Sequence, residues 1–320
     1  MLNLTAGRQD RLTRFKGKYL SLRFLSRASW SILRFVIVFG VAYMIIYPFF
    51  IKISMAFMTP TDYLDPTVRY IPRHPTMQNI KDTWTALNVL VSGKNTFILS
   101  ISTSIMQMIS CTLVAYGFGR FKFKGRNLLF ALVIFTLLVP PQTIMVSLYM
   151  HFRFFDVFGI IKAITGNPGI NLIDSFWPFL ILSVTGLGLK NGLYIYILRQ
   201  FFRGMPKELE EAAYVDGSGV FRTFLTIMLP SAGSMMITVF LFSFAWQWTD
   251  TFYSGLFLNR LSVLSTAMFN SIRDDRFIDP IIVSTQRNTA VMMVVLPLFL
   301  VYVIAQRYFV QSIERSGIVG

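Results

Sequence analysis

The sequence predicts an all-α integral membrane protein with six transmembrane helices and both termini in the cytoplasm. Three observations carry this: an apolar composition, six apolar runs of bilayer length, and Lys and Arg gathered on one side of those runs. Of 320 residues, 54% are hydrophobic and 14% charged, against roughly 45–50% and about 25% in soluble domains. The mean hydropathy is +0.57. The 32 Phe, 13 Tyr and 5 Trp leave too little polar chain for disorder. A single cysteine excludes a disulfide framework and a zinc site built on clustered thiolates.

A helix crosses the roughly 30 Å hydrocarbon core with about 20 apolar residues. Six runs meet that length: Ser31–Ile51, Thr96–Gly119, Leu128–Met150, Phe176–Leu198, Ile227–Trp248 and Asn288–Tyr308. The first is too long for a removable signal segment and has no small-residue cleavage site beside it. The formal net charge of +15 would suggest nucleic acid in a soluble protein. Here its distribution gives another reading. Residues 1–34, 120–126, 199–222 and the tail hold 18 Lys and Arg and net +12, whereas the three opposite loops hold 10 and net +1. By the positive-inside rule the first set is cytoplasmic.

The expected organisation is a basic arm, residues 1–34, followed by one transmembrane domain, residues 35–320. In the arm, cations alternate with Phe15, Tyr19, Leu20, Leu22, Phe24 and Leu25. This suits a segment on anionic lipid, or a flank that only sets orientation.

Catalytic signals are absent. Gly93-Lys94 is followed by Asn95 where a phosphate-binding loop needs Ser or Thr, and position 88 is Asn rather than Gly. His74 and His151 lie far apart and out of metal-ligand spacing. They read as solvated loop residues, and Cys111 as a small packing residue. We expect no catalytic residue, no metal site and no cofactor in this chain.

The informative loop runs Met205-Pro-Lys-Glu-Leu-Glu-Glu-Ala-Ala-Tyr-Val-Asp-Gly-Ser-Gly219. Pro206 suits a first helical position, and Glu208, Glu210 and Glu211 suit the positive end of the helix dipole. Gly217 suits a left-handed C-terminal stop. Leu209, Ala212, Ala213 and Asp216 share one face, shallow enough for another surface to approach closely. Pro230 should then break or kink the chain as it enters the next span. An interfacial helix resting on lipid is the plainer reading of this pattern.

Glu211-Ala212-Ala213, three residues, Gly217, nine residues, Ile227, one residue and Leu229-Pro230 resembles the EAA signature of binding-protein-dependent ABC importer permeases. Other segments are similar to the maltose-type second permease subunit. They are Ala115–Asn127, Val139-Pro-Pro-Gln142 through Tyr149, Asn191–Glu211, and the tail from Gln306 to Gly320. The resemblance covers most of residues 35–320. It implies a type I ABC importer permease, a non-catalytic subunit in the bacterial plasma (inner) membrane that imports a carbohydrate.

Its implied partners are a second permease, two ATPase subunits holding ATP and Mg, and an extracytoplasmic solute-binding protein. Residues 205–219 would form the coupling helix on the ATPase, with Glu208, Glu211, Ala212, Ala213, Asp216, Gly217, Ile227, Leu229 and Pro230 as coupling residues. Two stretches depart from the family: the arm, and the 151–175 loop with Gly166-Asn167-Pro168-Gly169, both longer than usual.

For the solute path, Lys190 stands out as a cation inside the fourth run. Such a residue usually faces a bundle interior, although pairing or snorkelling to the interface would also place it. In the first case it would help hold an acidic saccharide. Asn191 follows it, among Gly186, Gly188 and Gly192, which permit a break or close helix approach. Gln247, Trp248 and Asp250, with Trp246, close the fifth run; they are either interface anchors or sugar contacts. Arg273, Asp274, Asp275, Arg276 and Asp279 give the last outer loop a charged, salt-sensitive surface.

Two rivals stand beside this reading. The first is an importer of the same kind for a peptide or polyamine. The second is an ion-coupled secondary carrier, which would need carboxylates inside the apolar runs, and none is there.

Overall fold

The computed structural model describes residues 22–272 and 279–317, all of its regular elements being helical. Most of the basic arm and the charged stretch 273–278 lie outside the described residues. The chain divides into two compact units, 1–76 and 77–320.

In the first unit, α1 (Leu22–Ala56) is one 35-residue helix containing Pro48. Its apolar side chains are exposed all round, Ile32 and Met44 among them. That pattern suits a helix long and apolar enough to cross a membrane. After it, Thr59 caps α2 (Pro60–Leu64) by accepting from the Asp62 amide. Asp62 is buried and accepts from the His74 amide at 2.8 Å, while its other oxygen lies 3.2 Å from His74 Nδ1. Asp65 pairs with Arg73 at 3.1 Å, and the Thr76 amide donates to the Phe57 carbonyl. The loop is thus closed on itself by two carboxylates.

The second unit begins with α3 (Gln78–Ala86) and is organised around α4 (Val89–Arg120). The buried face of α4 is polar: Ser92, Thr96, Ser100, Thr103, Ser104, Gln107, Ser110 and Thr112. Small side chains let neighbouring helices approach closely. Most of these hydroxyls are satisfied by bonding back along the helix, as Thr96 does to the Ser92 carbonyl at 2.7 Å and Thr103 to that of Leu99 at 2.7 Å. Others cross between elements, as Ser110 does to the Ser183 carbonyl at 2.6 Å. Gln107 accepts from Ser243 and donates to the Leu189 carbonyl.

The third predicted run is two helices, α5 (Arg126–Leu138) and α6 (Met145–Arg153), joined by a 3₁₀ turn and bent by 95°. Pro140 and Pro141 lack amide hydrogens, and each holds its predecessor out of the helical region. The following loop contains α7 (Ile160–Thr165) and is closed by paired hydrogen bonds between Phe155 and Ile170.

The fourth predicted run is also divided, into α8 (Trp177–Val184) and α9 (Asn191–Gly204). Between them Gly186 and Lys190 both take positive φ. At Gly192 a β-carbon would lie 2.9 Å from the Val133 carbonyl, so glycine lets α9 pack directly on the α5 backbone.

Next come α10 (Glu208–Val215) and α11 (Val220–Thr223), then a π-helical turn, Phe224–Met228, and α12 (Leu229–Ser231). The chain turns by 72° into α13 (Gly233–Trp248). Pro230 withholds a donor from this ladder, which accounts for the loosened turn before it. Then follow α14 (Phe252–Phe257), α15 (Leu264–Asn270) and α16 (Pro280–Gly317).

Three described helices, α1, α4 and α16, are long and apolar enough to cross a membrane, and the two bent pairs raise the number to five. The predicted Phe176–Leu198 run does not form one continuous helix. The largest core cluster joins Cys111, Ala115 and Tyr116 of α4 to Tyr194, Leu198 and Phe202 of α9. Phe224 and Met228 of the π turn and Val239 of α13 complete it. The loop containing α10 hangs from this cluster.

Candidate functional site

Helix α10 starts at Glu208, two residues later than the Pro206 start expected from sequence. The Pro206 carbonyl instead accepts from Arg120 Nη2 at 3.0 Å, and the Met205 carbonyl accepts from Nη1 at 3.1 Å. The first turn carries Glu208, Glu210 and Glu211, favoured there by the helix dipole. At the other end Gly217 has φ +79°. Its amide donates to the Tyr214 carbonyl at 3.0 Å, and the Ser218 amide to that of Ala213 at 2.9 Å. This pair of bonds is a Schellman stop, which needs a left-handed residue and so favours glycine.

The structure divides the face that the sequence assigned to one side. Ala213 is buried, whereas Ala212, Asp216 and Glu211 are exposed. Leu209 is 40% exposed and Val215 87%. Ala213 therefore seats α10 on its own bundle, and the outward surface is formed by Leu209, Ala212, Val215 and Asp216 rather than by both alanines. Ile227 and Leu229 are partly buried against the main core cluster, and Pro230 is exposed beside the bend.

Sequence reasoning missed how α10 is tied to the bundle. Glu210 Oε1 accepts from Tyr116 Oη at 3.0 Å, and Oε2 lies 3.0 Å from Arg120 Nε. That second contact is an ion pair rather than an aligned hydrogen bond. Tyr116 and Arg120 are one turn apart at the end of α4 and so project to the same side. This spacing, in a run flanked by a basic loop, is a signal that can be read. Next to them, the buried Arg199 stacks its guanidinium 3.7 Å from the Phe130 ring centre.

The path candidates fall into different environments. Lys190 is exposed at the start of α9, with φ +63°, a conformation uncommon for a residue with a β-carbon. Its Nζ lies 4.9 Å from the Trp246 ring centre, and it joins none of the ion pairs among the described residues. Lys190 and Asn191 line a cavity of about 330 Å³ together with Thr136, Pro141, Gly188 and Tyr253. Asn191 is buried with Oδ1 unpaired, and the buried Gln247 leaves Nε2 unpaired.

Trp248 is buried and donates to the Val294 carbonyl at 2.9 Å. Asp250 is buried and accepts from the amides of Tyr253 and Ser254 and from the Ser254 hydroxyl. It shapes the start of α14, and burial pushes its carboxyl above the usual range. Lys190 and Trp246 are thus brought together, whereas Trp248 and Asp250 face the protein interior.

The fold is thus a helical bundle with helices of membrane-spanning length and a short acidic helix, α10, fastened to it, the class of an integral membrane protein. The chain belongs to the family of binding-protein-dependent transport system inner membrane components, whose sequence profile matches residues 111–315. It is 28% identical to a probable ABC transporter permease of Pyrococcus horikoshii over 91% of this chain and 94% of the relative. It is 24% identical to the galactooligosaccharides transport system permease protein GanQ of Bacillus subtilis, over 87% and 92%. A crystal structure of a bacterial ABC transporter involved in import of the acidic polysaccharide alginate superposes with a TM-score of 0.67. That match has 17% identity and covers 89% of this chain and 98% of the other. The protein is an inner-membrane ABC transporter permease, and subunits of this family are generally non-catalytic.

Proposed function

We propose that this permease subunit imports a carbohydrate, an oligosaccharide, by alternating access, with six spans and both termini cytoplasmic. A second permease would complete the path, two ATPases would bind ATP and Mg, and an extracytoplasmic binding protein would deliver the solute. GanQ's named cargo and the alginate importer's support the substrate class. In this reading α10 is the coupling helix. Glu208, Glu211, Ala212 and Asp216 face the ATPase, Ala213 seats the helix, Gly217 ends it, and Ile227, Leu229 and Pro230 pass its motion to α13. Lys190, Asn191 and Gln247 belong to the solute path; Trp248 and Asp250 hold its wall.

The observation that carries this reading is α10 itself, a short helix with an exposed apolar face, closed by Gly217 and fastened to α4, around which the bundle is organised. ATP binding can move the bundle only through contacts that differ between its two states, and α10 presents such a surface. The test is Gly217→Val in the assembled transporter. A β-branched residue at φ +79° is strained by roughly 1–2 kcal/mol, so the stop should re-form differently. Solute moved per ATP hydrolysed should fall while the ATPases still co-purify. Unchanged transport by this variant would remove the coupling role.

A further inference from the structure

We infer that Tyr116, Glu210 and Arg120 form a clamp that makes α10 and the end of α4 move as one body. These are positioning residues, which act through the helix that they hold. The inference rests on the reading of α10 as the coupling helix and adds the route by which its motion enters the bundle. The sequence signature points from α10 forward, through Gly217 to Pro230 and α13. The side chains point backward as well, to α4.

Four contacts converge on this joint. Glu210 takes Tyr116 Oη and Arg120 Nε at 3.0 Å each, and the Arg120 fork holds the carbonyls of Met205 and Pro206 at 3.1 and 3.0 Å. Those carbonyls end α9 and lead into α10. One guanidinium therefore grips both the approach to α10 and its first turn. The ion-paired side chains are 6% and 13% exposed, so water screens them far less than a surface pair, and breaking one partner strands the other.

The opposite connection is longer and more segmented, although Phe224 and Met228 of its π turn are packed in the main core. Between α10 and α13 lie Gly217, a four-residue helix, a π turn and a 72° bend. Displacement applied to α10 meets a charged joint at α4 and a jointed linker toward α13. Helix α4 packs along α8, α9 and α13, so a push delivered there reaches the bundle at several places.

The test uses the complete transporter, with its partner permease, ATPases and binding protein, in lipid vesicles. Glu210→Gln keeps the side chain's shape and removes its charge; Tyr116→Phe removes only the hydroxyl. Solute transported per ATP hydrolysed should fall about fivefold or more in Glu210→Gln, the low end of typical coupling energies, and less in Tyr116→Phe. Adding Arg120→Gln to Glu210→Gln should cost little more than the worse single change, because residues acting as one unit are non-additive. A purely stabilising role would lower the yield of complex and leave the ratio unmoved.

An unchanged ratio in both single variants overturns the clamp. So does a double variant whose losses simply multiply. If Glu210→Gln fails to assemble, Tyr116→Phe decides alone by the same ratio. The reading of α10 itself fails separately, if the native chain captures no ATPase or if Gly217→Val transports normally.

Discussion

Lys190 shows how one side chain can report on cargo. Its backbone is left-handed, its ammonium rests on Trp246, and it contributes the single charge among the residues lining its cavity. A lysine held by a ring face rather than by a carboxylate keeps its charge available to an anion, since a cation–π contact is worth only about 0.5–2 kcal/mol. For the proposed solute path we predict that Lys190→Met lowers uptake of uronate-containing oligosaccharides about tenfold relative to neutral ones, the value of one charge-assisted hydrogen bond. Radiolabelled uptake of both sugars checks this. Equal retention of both activities would leave Lys190 as a packing or interface residue. The sequence singled out Lys190 because a cation in an apolar run is conspicuous. It could not show that Trp248 and Asp250 face the interior, because helix rotation depends on neighbours distant in sequence.

At the scale of elements, prolines and glycines carried most of the legible information. Pro230 foretold the bend into α13, and Gly217 foretold the end of α10. The Gly186–Gly192 stretch allowed for the break before α9 without requiring it. The 95° turn at Pro140-Pro141 escaped because the flanking residues are apolar enough to read as one span, and hydropathy does not register direction. The polar stripe of α4 escaped for the same reason: Ser and Thr hide within an apolar average, although their helical spacing is visible.

The 57–76 loop supplies a prediction at this scale. Hydrogen bonds from the His74 backbone hold Asp62 below its ordinary value, and those from Thr67 do the same for Asp65. A carboxyl with a lowered folded pKa stabilises fully above its unfolded value. That contribution is lost as pH falls through the folded one. Amide protection in residues 57–76, corrected for intrinsic exchange, should be steady at neutral pH and decline below the ordinary value of 3.8. Asp62→Asn should flatten that decline. Constant protection down to pH 3 in the native protein would show that the carboxylates do not close this loop.

For the molecule as a whole, the membrane class was legible from composition and charge, and the family from one motif of fixed spacing. The continuous six-span picture was not, since three of the predicted runs are bent or divided at Pro and Gly. Those interruptions leave unpaired backbone groups that lipid cannot satisfy, so they belong where protein or water surrounds them. That is where a permease needs its path to be. The proposed mechanism then makes energy supply the decisive matter. Vesicles holding the complete complex should accumulate solute only with ATP inside and loaded binding protein outside, and ionophores that collapse ion gradients should not slow uptake. Accumulation driven by an ion gradient without ATP would contradict this account and favour a secondary carrier.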